Sequence, residues 1–248
     1  RFNEDGLRIL RALRFASVLD FELDADCADS VRRLRGLLGK ISRDRIYTET
    51  TKLLLGKGAR RILSTFPEVI SFIFPALTEE MICRAAALVE RCPRDAEMRY
   101  AVLFSELDAK EEERMISSMK PSRAEKNAVL RYSEYENYRN SLDGESEVRR
   151  LISATDDGFV LSLTDMQLSR GVITDEEYAA VREMISEIIE KNLPRKLSDL
   201  AVDGKTLMSI GYAGADIGHE LTRLLNDVMR GRCENTAREL TEKARRDK

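Results

Sequence analysis

Asp5 and Arg8 stand three residues apart near the start of the 248-residue chain. On a helix that spacing makes them neighbours on one face. A carboxylate only accepts hydrogen bonds, whereas a guanidinium donates them in a planar fork. Side by side they match the pairing edge of cytosine or adenine, where an exocyclic amine adjoins a ring-nitrogen acceptor. Asp5 would accept from the amine and Arg8 would donate to the ring nitrogen. Uracil and guanine present a carbonyl next to an N–H, so both contacts would clash. A site built on hydrogen bonds rejects the wrong partner strongly, because buried polar groups are left unpaired. Taken alone, the same two residues read as a surface ion pair worth about 0–1 kcal/mol.

The surrounding residues extend the pattern: Arg1-Phe-Asn-Glu-Asp-Gly-Leu-Arg-Ile-Leu-Arg-Ala-Leu-Arg-Phe-Ala. This stretch resembles motif D of the class II tRNA nucleotidyltransferases and of their relatives, the bacterial poly(A) polymerases. The resemblance implies that Asp5 and Arg8 form an amino-acid template selecting CTP and ATP. Glu4 and Arg11 complete the nucleotide-binding set it implies, and Arg14 also fits the pattern.

Ile41-Ser-Arg-Asp-Arg-Ile-Tyr-Thr-Glu resembles motif E of the same family, with Asp44 where Glu is commoner. By resemblance this segment supports the neck around the nucleotide. Arg43, Arg45 and Glu49 are therefore expected to be structural. Read from the residues, Ser42 caps a helix, Asp44 lies in its first turn, and Arg45 and Glu49 form an i, i+4 pair.

The run Leu200-Ala-Val-Asp-Gly-Lys-Thr-Leu-Met-Ser-Ile-Gly-Tyr-Ala-Gly-Ala-Asp-Ile-Gly-His-Glu, with Val228-Met-Arg-Gly-Arg-Cys-Glu-Asn-Thr, resembles the tRNA-binding tail of bacterial CCA-adding enzymes. Gly211 and Gly214 allow a tight turn that delivers a helix N-terminus near Ala215, whose free N–H groups can hold a phosphate. Lys205, Gly211, Gly214 and Gly218 are the tRNA-binding residues expected here. Without the resemblance, the run reads as a glycine-bounded turn above a Leu/Ile stripe.

Other residues look like chemistry and are read otherwise. Asp24-Ala-Asp26 has the spacing of a two-metal site but lacks a preceding Gly-Ser turn on a strand, so Asp26 is read as a helix cap. Asp156-Asp157 is read as a loop pair. His219, the single histidine, is read as exposed helix surface. Met119-Lys-Pro-Ser is read as a short turn. Gly36, Gly39, Gly56 and Gly58 lack the Lys-Ser/Thr ending of a phosphate loop.

These residues must be positioned by helices. Amphipathic patterns recur along the chain and no period-2 run of strand length stands out, so an all-α, elongated array is expected. The divisions expected are a neck over 1–60, a body over 61–143 and a tail over 144–248, with Ser141 to Ser146 as a boundary. A third of the residues are charged and the net charge is −3. Residues 1–61 carry 14 Lys and Arg against 9 Asp and Glu, a local excess that attracts phosphate or simply solvates a helix face. The four cysteines show no Cys-x-x-Cys spacing and read as reduced, mostly buried thiols. With no membrane-length apolar run and no signal peptide, a cytoplasmic protein is expected.

The resemblance implies a parent enzyme adding CCA to tRNA 3′ ends from CTP and ATP, with Mg²⁺ held by carboxylates of a catalytic head upstream of motif D. The sequence in hand would supply base selection and tRNA docking, hold no cofactor, and transfer no nucleotide alone. A homodimer through apolar surface of the neck is a further possibility. The rival readings are a poly(A) polymerase and a non-catalytic helical RNA-binding module.

Overall fold

In the computed structural model the described residues are 5–135 and 144–246. Among them there are fifteen α-helices and no strand. They divide into two compact units. The first is Arg1–Asn137 with Asp165–Val172, and the second is Tyr138–Thr164 with Ile173–Lys248.

The first unit is built on α1 (Leu7–Leu19), α2 (Ala25–Leu34), α3 (Arg43–Leu54), α4 (Ala59–Thr65), α5 (Pro67–Ile73), α6 (Glu79–Arg91), α7 (Ala96–Phe104), α8 (Ala109–Ser118) and α9 (Arg123–Tyr135). Helix α1 buries Leu7, Ile9, Leu10, Leu13, Ala16 and Ser17, a stripe that packs on α3. Five of these helices start where short polar side chains satisfy free N–H groups. Asp24, Thr78, Asp95, Asp108 and Ser122 each accept from the residue three positions on. The expected cap Asp26 instead lies in the first turn of α2, because Asp24 takes the capping position. Ser42 occupies the N-cap position of α3 but makes no capping hydrogen bond.

Between α3 and α4 the backbone closes tightly. A Cβ on Gly56 would lie 2.6 Å from the Ser17 carbonyl carbon. The Ser17 hydroxyl donates to Leu53 O at 2.6 Å, and Gly58 N donates to Ser17 O at 2.8 Å. This contact fixes the end of α3 against α1. The aromatic centre of the unit is Phe74, Tyr100 and Phe104, with Tyr47 stacked on Tyr100 at 5.5 Å between centroids. Each ring is buried, and at roughly 25 cal/mol per Å² such side chains dominate a core.

The second unit contains α10 (Glu145–Ala154), the N-terminal part of α11 (Asp157–Arg170), α12 (Asp175–Glu190), α13 (Gly204–Ser209), α14 (Ala215–Met229) and α15 (Ala237–Arg246). Asp156 accepts from Phe159 N at 2.7 Å and Asp157 is the first residue of α11, so the two aspartates start a helix rather than form a loop. Thr174 and Glu177 form a reciprocal capping box on α12. Leu207, Leu224, Leu225 and Leu240 form one core that joins α13, α14 and α15. Residues 141–143 of the expected boundary lie outside the described residues.

All four cysteines are free thiols. Only Cys92 is buried, and Cys83 is exposed, against the expectation of mostly buried thiols. Burial pushes the Cys92 thiol up to about 11. No helix among the described residues is long and apolar enough to cross a membrane.

Candidate nucleotide and RNA site

The start of α1 is held by its own aspartate. One Asp5 oxygen accepts from Leu7 N at 3.0 Å, at the end of the helix where backbone N–H groups are unpaired. The other lies 3.4 Å from the Arg45 guanidinium of α3. Gly6 lets this turn press against the neighbouring backbone, since a Cβ there would come 2.9 Å from Leu37 O. About a third of the Asp5 side chain stays exposed, so the carboxylate keeps an accessible edge. Arg8 follows at the first turn and is exposed. Glu4 lies outside the described residues.

One turn further along, Arg11 Nε lies 3.4 Å and Arg14 Nε 3.1 Å from the two oxygens of Glu49. The Glu49 side chain is only 8 % exposed. A buried carboxylate is tolerable only when paired, and here two guanidinia supply the pairing. Glu49 thus takes its partners on α1 and Arg45 takes Asp5 just before that helix, where the i, i+4 reading had the two pairing with each other. The reason is tertiary: α3 packs along α1, which brings both side chains to residues distant in sequence. Arg43 points elsewhere, donating to Ile73 O at the end of α5 at 3.4 Å.

Arg99 was not singled out in the sequence, yet it organises the far end of this unit. Its buried guanidinium donates to the carbonyls of Cys92 and Pro93, each at 2.9 Å, and to that of Leu54. Leu54 is the last residue of α3, where carbonyls lack intrahelical partners. The cation therefore ties the end of α3 to the loop that precedes α7. Desolvation lowers its pKa. Nothing local in the run Met98–Phe104 signals three carbonyl partners.

In the second unit, Asp203 caps α13 through Thr206 N at 2.9 Å, with exposed Lys205 beside it. Gly211 has φ +94° and Gly214 φ +54°, conformations that disfavour any residue with a Cβ. They turn the chain into α14, whose N-terminus has no side-chain cap. Asp216 occupies its first turn and competes there with any incoming anion. Gly218 is exposed in the helix, with open space where a Cβ would stand. Lys205, Gly211, Gly214 and Gly218 thus share one short segment of α13, turn and α14. Tyr212 OH donates to Ala244 O at 2.9 Å, and Asn235 bridges Ala201 N and Asp199 O at 2.8 Å each. His219 is exposed. Among the described residues no three of His, Cys, Asp and Glu converge as a metal site.

Residues 20–81 match the family described as probable RNA and SrmB-binding site of polymerase A. The CCA-adding enzyme of Bacillus licheniformis is 28 % identical over 251 residues, covering 98 % of this chain and 60 % of that enzyme. The enzyme of the same name from Lactococcus lactis subsp. cremoris is 50 % identical over 68 residues, 27 % of this chain and 17 % of its own length. Among solved structures, the Bacillus stearothermophilus CCA-adding enzyme in complex with CTP matches with a TM-score of 0.80 at 21 % identity, over 100 % of this chain and 62 % of that one. The Thermotoga maritima CCA-adding enzyme complexed with tRNA gives 0.65 at 18 % identity, over 99 % of this chain and 62 % of the other. The two structures establish the fold, an all-α helical array like that of these CCA-adding enzymes. The chain spans no more than 62 % of the length of any of these four relatives.

Proposed function

We propose that this chain is the base-selecting and tRNA-docking part of an enzyme that adds CCA to tRNA 3′ ends from CTP and ATP. The observation that carries the reading is the Asp5 carboxylate. It is fixed from two sides by Leu7 N–H and Arg45, just before α1, and Arg8 is exposed three residues on, in the first turn. A pre-oriented acceptor beside a donor fork can admit the C or A edge and leave U or G with clashing groups, at no reorganisation cost. Glu49, by anchoring Arg11 and Arg14, keeps this face of α1 from rotating. Lys205 and the Gly211–Gly214 turn are assigned to phosphate contacts of the tRNA.

In the parent reaction the growing 3′ hydroxyl would attack the nucleotide α-phosphate and release pyrophosphate. Mg²⁺ is assigned to the head of the parent enzyme, not to these residues. The 248-residue chain alone is proposed to transfer no nucleotide.

The test is binding of the pure chain to labelled tRNA and to an unrelated hairpin of similar length, over a salt series. Preferential tRNA binding that weakens with salt is expected. Equal, weak binding to both would sink the docking reading, and incorporation of labelled CTP by the pure chain would sink the assignment of catalysis to the head.

A further inference from the structure

A shallow cavity of about 390 Å³ lies between the C-terminal half of α1, the end of α3 and the loop before α7. Small-ligand pockets run from roughly 300 to 1,000 Å³, so this one suits a single ring system with its substituents. Phe15 and Val18 give it an apolar surface, and Arg14, Lys52, Lys57 and Arg94 stand around it; no carboxylate lines it. Among the described residues, Lys52, Lys57 and Arg94 have no carboxylate within ion-pair distance. On a chain of net charge −3, that leaves a concentrated positive field open to an anion.

The planar groups are set in advance. The Arg14 guanidinium lies 4.0 Å over the Phe15 ring, with its Nε held 3.1 Å from buried Glu49. Phe15 is 47 % exposed, and Val18, Leu19 and Phe21 further along the same stretch are exposed as well, a grouping that marks an interaction surface more than a single exposed side chain would. Arg99 fixes the outer wall, because it joins Leu54, two residues after Lys52, to Pro93, next to Arg94.

We propose that this cavity takes one unpaired nucleotide of an RNA strand. Its base would stack on the Phe15 and Arg14 planes, and its flanking phosphates would meet Lys52, Lys57 and Arg94. Aromatic planes combined with a basic groove are how single strands are held without sequence preference, since every base has a stacking face. The site is separate from the Asp5 and Arg8 template, with Phe15 roughly 10 Å along α1 from Arg8 at 1.5 Å per residue. It rests on the RNA-docking reading above, and adds to it a grip that ignores base identity.

The test titrates the 248-residue chain with a fluorescent single-stranded RNA of about six nucleotides. Phe15→Leu keeps an apolar side chain at a half-exposed position, and unchanged thermal unfolding confirms its fold. It is expected to weaken oligonucleotide binding about tenfold. The Lys52→Ala/Lys57→Ala variant is expected to lower the salt slope by about 1.4, at roughly 0.7 per phosphate contact on a single strand. Wild-type affinity in Phe15→Leu, with tRNA binding retained, overturns the stacked nucleotide alone. Displacement of the RNA by polyglutamate as effectively as by unlabelled RNA overturns it in favour of an acidic peptide. A wild-type chain that binds neither tRNA nor the oligonucleotide overturns the docking reading and this proposal together.

Discussion

Glu49 and Arg14 meet at 3.1 Å, the carboxylate 8 % exposed and the guanidinium 18 % exposed, and this pair locks α3 to α1. Glu49→Gln keeps the shape of the side chain and removes its charge, leaving Arg11 and Arg14 without a counter-ion. Breaking a buried pair from one side costs about 3–5 kcal/mol. Arg11 is half exposed and can rehydrate, so a loss on the order of 2 kcal/mol is expected. Urea unfolding should show a lower midpoint at unchanged slope. An unshifted midpoint would mean that the two arginines do not depend on Glu49.

Gly56 sets the other lock between these helices. Its missing Cβ leaves room for Ser17, whose carbonyl carbon and oxygen would otherwise lie 2.6 and 2.7 Å away. Gly56→Ala must move backbone, so a loss of about 2–3 kcal/mol is expected. At roughly 2–4 °C per kcal/mol for a chain of this size, the melting temperature should fall by about 4–12 °C. Adding Ser17→Ala removes only the hydroxyl contact at 2.2 Å and should not restore it. Full rescue by the double variant would show that the hydroxyl, not the backbone, sets the spacing.

Helix positions were legible wherever a cap and an apolar stripe coincide. In α6 the Thr78 cap and the stripe of Ile82, Ala85, Ala86 and Val89 at helical spacing coincide. Helices α4 and α5 were not legible. Just after Gly56 and Gly58 the chain restarts a helix, and Pro67 serves as the first residue of α5, where a missing N–H costs nothing. At the candidate site, residue type and spacing place Asp5 and Arg8 together at the start of a helix, and the structure puts them before and in the first turn of α1. The partners Arg45 and Glu49 take, and the role of Arg99, depend on which helix packs alongside. Local periodicity carries no such information.

Arg45 orients the Asp5 carboxylate at 3.4 Å. In the full-length parent enzyme, Arg45→Met should leave Asp5 in place but free to turn. Discrimination for CTP and ATP against UTP and GTP is expected to fall about tenfold, with a smaller change in tRNA affinity. Asp5→Asn, whose amide can donate as well as accept, should relax discrimination further. Single-nucleotide incorporation by each variant measures both. Unchanged discrimination in Asp5→Asn would remove Asp5 from the template.

Tyr47 gives an alkaline signature. Burial first, then the carboxylates of Glu125 and Glu97, push its phenol up to about 12, against about 10 for an unfolded tyrosine. The folded state therefore holds its proton where the unfolded state releases it. The stabilisation is complete below about pH 10 and is lost as pH rises from there through 12. A rise of this size corresponds to on the order of 2 kcal/mol. Tyr47→Phe should delay alkaline unfolding, followed by far-ultraviolet circular dichroism, relative to wild type. Identical alkaline midpoints would place the loss on other groups.

Gly218 separates fold from function in the tail. It sits in α14 with open space where a Cβ would stand, and glycine inside a helix costs roughly 0.5–1 kcal/mol relative to alanine. Gly218→Ala should therefore stabilise the chain by about that amount. If the bare backbone at this turn approaches a tRNA phosphate, the same change weakens tRNA binding while raising the melting temperature. Gly214→Ala is the contrast: no atom would meet the new Cβ, but φ +54° and ψ −131° strain it by about 1–3 kcal/mol. It should lower stability and binding together. A Gly218→Ala chain that is more stable and binds tRNA like wild type would take Gly218 out of the interface and leave the grip to Lys205 and the Gly211–Gly214 turn.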